Sequence, residues 1–181
     1  MVNKGMTVSH EITADLVDRP TVITIGKFDG FHLGHQKLLK TVIKESKARN
    51  LASLVFVIDM GKQDSLMTRE ERENFLYNKV DYLLEVDFTS GFKNTSAVDF
   101  IKEILCEKLH AGLIVVGEDF RFGYKHKGDP ELLRELSKEC GYELIVVPQE
   151  YYKNEVISST RIKKAIMQGD RKSAAAMLNR E

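Results

Sequence analysis

Residues 21–39 read TVITIGKFDGFHLGHQKLL, and this stretch decides the fold. Its first five residues, TVITI, are β-branched and suit a strand. Gly26 ends that run and gives the backbone room to turn or to approach a ligand. Gly30 and Gly34 remove side chains at two further points. Residues 36–49 follow with Leu38, Leu39, Val42 and Ile43 at helical spacing. A strand that passes through a glycine-bearing loop into a helix is the opening of a parallel α/β unit.

On the C-terminal side of this stretch the same alternation continues to the end of the chain. Strands are predicted at residues 53–58 (SLVFVI), 81–86, 112–116 (GLIVV) and 143–147. Helices are predicted at 68–78, 96–109, 130–140, 159–167 and 170–178. Thr68 with Glu71 three residues on is a capping-box pattern. Val98, Ile101, Ile104, Leu105 and Leu109 share one side of the 96–109 helix, and Pro130 sits where a first turn tolerates proline. Two long loops are predicted, residues 59–65 (DMGKQDS) and 120–129 (FRFGYKHKGD). The expected fold is α/β, Rossmann-like and doubly wound, with a five-stranded, mainly parallel sheet covered by helices on both faces. Such sheets bind ligands beyond the carboxyl ends of their strands.

Composition narrows the functions. The chain has 181 residues, the size of one domain, and 43% of them are hydrophobic, enough for a real core. Lys+Arg and Asp+Glu are both 27, so no net charge favours nucleic acid or an acidic membrane. An anion must therefore be held by local geometry. Cys106 and Cys140 stand far apart in sequence without metal-ligand partners nearby and read as buried or incidental thiols, which suits a cytoplasmic setting. Residues 1–15 are polar, without a signal-peptide core, and no apolar run approaches membrane-spanning length.

The chemistry concentrates in three segments, each after a strand. In residues 26–35, His32 and His35 flank the start of the first helix. A helix N-terminus presents free N–H groups and the positive dipole end, and imidazoles there can donate to phosphate oxygens. Taken singly, these residues could be a cap, steric glycines or half of a metal site; no cysteine or carboxylate at a recognisable spacing completes a metal set, although Asp29 is near. Their joint position at the sheet's ligand edge favours phosphate. Residues 116–123, VGEDFRFG, followed by Lys125, Lys127, Gly128 and Asp129, fit either a flexible basic loop or a nucleotide and ring contact surface. Residues 157–162, ISSTRI, carry the capping hydroxyls Ser158, Ser159 and Thr160, with Arg161 in the first turn, and the same groups could hold a triphosphate.

The fixed positions Gly26, Phe28, Asp29, Gly30, His32, Gly34 and His35 resemble the first motif of the nucleotidylyltransferase superfamily. This version is similar to prokaryotic-type FAD synthetase, whose adenylyltransferase domain joins FMN and ATP. The later GEDFRFG and ISSTR stretches resemble that family's further motifs, in the same order, so the likeness runs from about Thr21 to Leu178. It implies a nucleotidylyltransferase fold and catalytic roles for His32, His35 and Arg161. It implies ATP contacts from Gly26, Lys27, Phe28, Asp29, Gly34, Asp119, Ser158, Ser159 and Thr160. Asp59, Phe120, Arg121 and Phe122 are implied on the flavin side. Mg²⁺ is expected with ATP, bridged by phosphates and without protein ligands. FMN and ATP are the implied partners and FAD the product, with neither nucleic acid nor membrane. Two departures stand out. A Pro-His-Pro segment common after the family's second strand is here Val57-Ile58-Asp59-Met60-Gly61-Lys62. Many members also continue into a riboflavin kinase domain, whereas this sequence ends at Glu181, so one adenylyltransferase domain without the kinase is expected, natural or cut from a longer chain. Two alternatives remain: a related transferase with another phosphorylated acceptor, and a nucleotide- or flavin-binding sensor without catalysis.

Overall fold

β-branched and aliphatic residues alternate across the central strands, and both faces are buried. In the computed structural model, which describes residues 5–180, strand β1 (Thr7–Ser9) precedes β2 (Thr21–Gly26), helix α1 (Leu33–Arg49), β3 (Ala52–Asp59), α2 (Arg69–Leu76) and β4 (Tyr82–Asp87). Then come α3 (Ser90–Lys93), α4 (Ala97–Asp99) running into a π-helical segment (Phe100–Lys108), β5 (Ala111–Gly117), α5 (Pro130–Cys140) and β6 (Glu143–Val147). A hairpin of β7 (Tyr151–Tyr152) and β8 (Glu155–Val156) leads to α6 (Ser159–Met167) and α7 (Arg171–Leu178). Residues 1–4 of the polar N-terminal stretch and residue 181 lie outside the described part.

The main sheet has the order β1-β4-β3-β2-β5-β6, with every pair parallel. It has six strands where five are expected. The extra one, β1, is a three-residue edge strand paired to β4, too short to stand out as a hydrophobic pattern. Ile23, Ile25, Leu54, Phe56, Leu84, Val86, Ile114 and Val116 pack on one face with the π-helical segment. Val22, Val55, Val57, Leu83, Leu113 and Val115 pack on the other with Leu38, Leu39 and Val42 of α1. A third, smaller cluster joins α6 to α7 through Ile162, Ala165, Ala174 and Met177.

The helix expected at 96–109 also differs from an ordinary α-helix. Beyond Asp99 it is π-helical, and the Leu109 N–H donates to Ile104 O, five residues back. Phe100, Ile101, Ile104, Leu105 and Leu109 are buried, at the four-to-five-residue spacing of this wider turn, and Val98 is left exposed. At Thr68 the capping box forms as expected, Thr68 and Glu71 exchanging side-chain to backbone hydrogen bonds.

Candidate active site

The strand order reverses between β2 and β5, and a cavity of about 500 Å³ lies beyond their carboxyl ends. Its walls come from the β2–α1 loop, the loop after β5, the end of β3 with the residues that follow it to Ser65, and the first turn of α6. Gly26, Lys27, Asp29, His32, Gly34 and His35 border it from the first of these.

The β2–α1 loop is held in an uncommon backbone. Phe28 (φ 46) and Phe31 (φ 44) both lie in the left-handed region, which costs bulky residues about 1–3 kcal/mol each. Their rings offset that strain: both are buried, stacked at 5.2 Å, and Phe31 stacks on Phe75 at 4.6 Å. Phe28, expected among the nucleotide contacts, borders the cavity, but its ring belongs to the core.

This anchored loop delivers the two histidines. His32 is the N-cap of α1, and its Nδ1 accepts the His35 N–H at 3.4 Å. The neutral ring therefore carries its proton on Nε2. The imidazoles of His32 and His35 stack at 3.6 Å, and Nδ1 of His35 is buried without a hydrogen-bond partner. Burial lowers the His32 pKa to about 4, against the opposite pull of Asp119 and Asp29. His35 is also pushed well below the usual range, by burial first and by His32 second. Both rings are neutral at neutral pH in the free protein.

Opposite them stands the start of α6. Ser158 caps it by accepting the Arg161 N–H at 3.2 Å, and the Ser159 hydroxyl donates to Asp29 O at 2.9 Å. That bond ties the α6 N-terminus to the β2–α1 loop. Ser158, Ser159 and Thr160 border the cavity, but Arg161 does not. Its guanidinium donates to Glu155 O at 2.8 Å, pairs with the Glu155 carboxylate at 3.2 Å and lies over the Tyr152 ring. The α6 cation at the cavity is Lys163, whose Nζ is 2.8 Å from Asp29 Oδ2 and 3.6 Å from Asp64 Oδ2. Burial opposes its charge, but these carboxylates outweigh that and raise its pKa. The reason is helix phase. Residues two apart on an α-helix point about 200° from each other, whereas Ser159 and Lys163, four apart, share a face.

Asp29 is also differently employed. Its Oδ1 accepts the Leu66 N–H at 2.6 Å and its Oδ2 holds Lys163, so both oxygens are engaged within the protein.

The far end of the cavity is aromatic. Phe88, Phe92, Phe100, Phe120 and Phe122 border it, with Phe120 and Phe122 stacked at 5.2 Å and the Phe100 ring tilted against Phe122 at 5.5 Å. Phe120 and Phe122 were legible in sequence; Phe88, Phe92 and Phe100 were not, since only the path of the crossover from β4 to β5 brings them against the loop after β5. Two glycines fix this wall. Gly123 has φ 72, and a Cβ there would sit 2.6 Å from Ala97 Cα; a Cβ on Gly128 would sit 2.5 Å from the Phe122 ring. Arg121 and Asp119 border the cavity as exposed side chains, and Arg121 donates to Phe120 O at 2.7 Å. Asp59 also borders it, with its carboxylate accepting the Gly61 N–H at 2.8 Å and pairing with Arg69 at 3.1 Å. Arg72, which also borders the cavity, forms a buried ion pair with Glu85, and Arg69 reaches Asp87 at 2.8 Å. These charges brace α2 against the ends of β3 and β4. Burial lowers the Arg72 pKa against the pull of Asp59.

Among the described residues no three His, Cys, Asp or Glu side chains group to hold a metal ion, and no helix is long and apolar enough to cross a membrane.

Comparison with known proteins is consistent with this geometry. The family model described as FAD synthetase matches residues 15–161. The chain is 34% identical over 185 residues to an FAD synthetase of Listeria monocytogenes, covering 96% of this chain and 74% of that protein. It is 33% identical over 175 residues to a bifunctional riboflavin kinase/FMN adenylyltransferase of Buchnera aphidicola, covering 91% and 56%. A similar match to the Escherichia coli protein of that description has 34% identity and covers 87% and 53%. The chain thus spans about half the length of the bifunctional relatives. Among solved structures, a crystal structure of a macrolide-efflux protein from Streptococcus pneumoniae matches with a TM-score of 0.84 at 27% identity, covering 97% of this chain and 62% of that one.

Proposed function

The chain belongs to the FAD synthetase family, and from that premise we propose that it transfers the adenylyl group of ATP to the phosphate of FMN, giving FAD and pyrophosphate. One observation carries the reading. The N-termini of α1 and α6 face a single cavity and are tied together by the Ser159–Asp29 bond. Two helix N-termini, two imidazoles and an ammonium on one cavity make an anion site, and the aromatic wall across from them suits a planar ring.

In the proposed reaction an oxygen of the FMN phosphate attacks the α-phosphorus of ATP in line. The new O–P bond forms as the bond to the leaving pyrophosphate breaks, and no protein nucleophile is needed. His32, through Nε2–H, and His35, whose ring borders the cavity, supply donors to the phosphate oxygens as charge builds. Gly26 and Gly34 let the nucleotide approach the backbone. The Ser158 and Thr160 hydroxyls, the Ser159 backbone N–H and Lys163 hold the pyrophosphate; Lys163 takes the part that the resemblance assigned to Arg161. Asp119 and Lys27 border the nucleotide side, and Asp59, Phe120, Arg121 and Phe122 the flavin side. Magnesium, carried by the phosphates, supplies charge neutralisation when bound.

The test is incubation with FMN, ATP and Mg²⁺, read by FAD fluorescence and released pyrophosphate. FAD and pyrophosphate in equal amounts support the reading. Tight flavin binding without pyrophosphate would replace it with a sensor, and turnover only with other phosphorylated acceptors would redirect it to a related transferase.

A further inference from the structure

A carboxylate accepts hydrogen bonds and donates none, so near a polyphosphate it opposes binding unless its charge is directed elsewhere. Asp29 stands at the anion end of the cavity, between the histidines and α6. Its side chain is 16% exposed, and each of its three oxygens goes to a different partner. Oδ1 accepts the Leu66 N–H at 2.6 Å, Oδ2 accepts from Lys163 Nζ at 2.8 Å, and the backbone oxygen accepts the Ser159 hydroxyl at 2.9 Å. One residue of the β2–α1 loop thereby fastens two other cavity walls, the segment before α2 and the first turns of α6. The bond to Lys163 matters most. A lysine side chain has several free rotations to lose when it meets a ligand, and a fixed counter-charge removes part of that loss in advance.

We propose that Asp29 is a positioning residue, which holds Lys163 and the 59–68 loop at the triphosphate and makes no nucleotide contact itself. Its effect on transfer then passes through Lys163. This kinetic consequence rests on the adenylyl-transfer reading; the tether to Leu66 does not.

The experiment is a double-mutant cycle of Asp29→Asn and Lys163→Met, measured as kcat and as KM for ATP, FMN and Mg²⁺. Asparagine still accepts the Leu66 N–H but no longer offers Lys163 a charge. Asp29→Asn should lower kcat about tenfold or more with KM for FMN within about twofold, and should add less than about twofold once Lys163 is methionine. A lower KM for ATP with kcat intact would mean that Asp29 only repels nucleotide. A raised Mg²⁺ requirement would make it a metal contact, and additive effects would make it independent of Lys163. Each of these overturns the proposal. Amide hydrogen exchange is read alongside: Leu66 should exchange about tenfold faster or more in Asp29→Ala and near the wild-type rate in Asp29→Asn. Unchanged exchange in the alanine variant overturns the tether. Wild-type protein that makes no FAD while passing the exchange test would sink the functional reading and leave the tether standing.

Discussion

Binding of ATP should draw a proton onto His32. Burial holds the His32 pKa at about 4 in the free protein, so the ring is neutral at pH 6 and above. One phosphate charge at ~4 Å contributes roughly 4 kcal/mol at an effective dielectric of about 20. That is about 3 pKa units, which brings the bound ring to a pKa of ~7. The sign follows directly. A pKa raised by binding makes binding tighten as pH falls through ~7, about tenfold per unit, and level off near 4. Proton uptake at His32 should be ~0.9 at pH 6 and ~0.2 at pH 7.5. Calorimetry in two buffers of different ionisation enthalpy counts the protons. ATP has titrating protons of its own, so the quantity to compare is wild type minus His32→Asn. Asparagine keeps an acceptor where Nδ1 caps α1 and has no proton to gain. Equal proton counts for the two proteins at pH 6 would refute the argument, because His32 would then not face the phosphates.

Acid should destabilise the free protein, since the folded His32 pKa lies below its unfolded value of 6.5. The unfolded chain binds more protons between those values, so stability is full above pH 6.5 and falls by roughly 3 kcal/mol by pH 4 for His32 alone. His35 acts in the same direction. Urea unfolding from pH 7.5 to 4.5 measures this, and a flat profile would contradict the burial argument. His35→Ala should leave the fold intact and slow transfer by about 100-fold or more, measured as FAD formation; near wild-type activity would discredit its role. Lys163→Met should lower kcat/KM for ATP by about 100-fold, whereas Arg161→Met should change it by less than about threefold and lower Tm by a few degrees through the β7–β8 hairpin. The reverse ranking would return the phosphate role to Arg161.

Periodicity read the sheet well because burial on both faces makes strands continuous apolar runs, and the helices between them keep their 3.6-residue pattern. It failed where packing, rather than pattern, decides. β1 is three residues long and is a strand only because Thr7, Val8 and Ser9 find the β4 edge. The 96–109 helix carries an apolar stripe compatible with an ordinary turn, and only the hydrogen bond from Leu109 N–H to Ile104 O, five residues back, shows that it is wider.

The same division runs through the site. His32 and His35 could be placed from sequence because a glycine-bearing strand-to-helix turn has few possible directions. On α6 the motif letters ISSTR drew attention to the arginine as the stronger anion ligand. Direction was set by what α6 packs on. Ser159 is fastened to Asp29, so the face four residues on, at Lys163, looks into the cavity, and Arg161 is left to clamp the hairpin behind it. Side-chain chemistry names which groups could hold a phosphate, and helix phase, once a single contact pins it, chooses between them. Asp29 provides that contact through its backbone oxygen and then engages the selected lysine through its carboxylate. The choice of cation and the means of aiming it thus reside in one residue, which is why removing its charge should be felt in turnover before it is felt in stability.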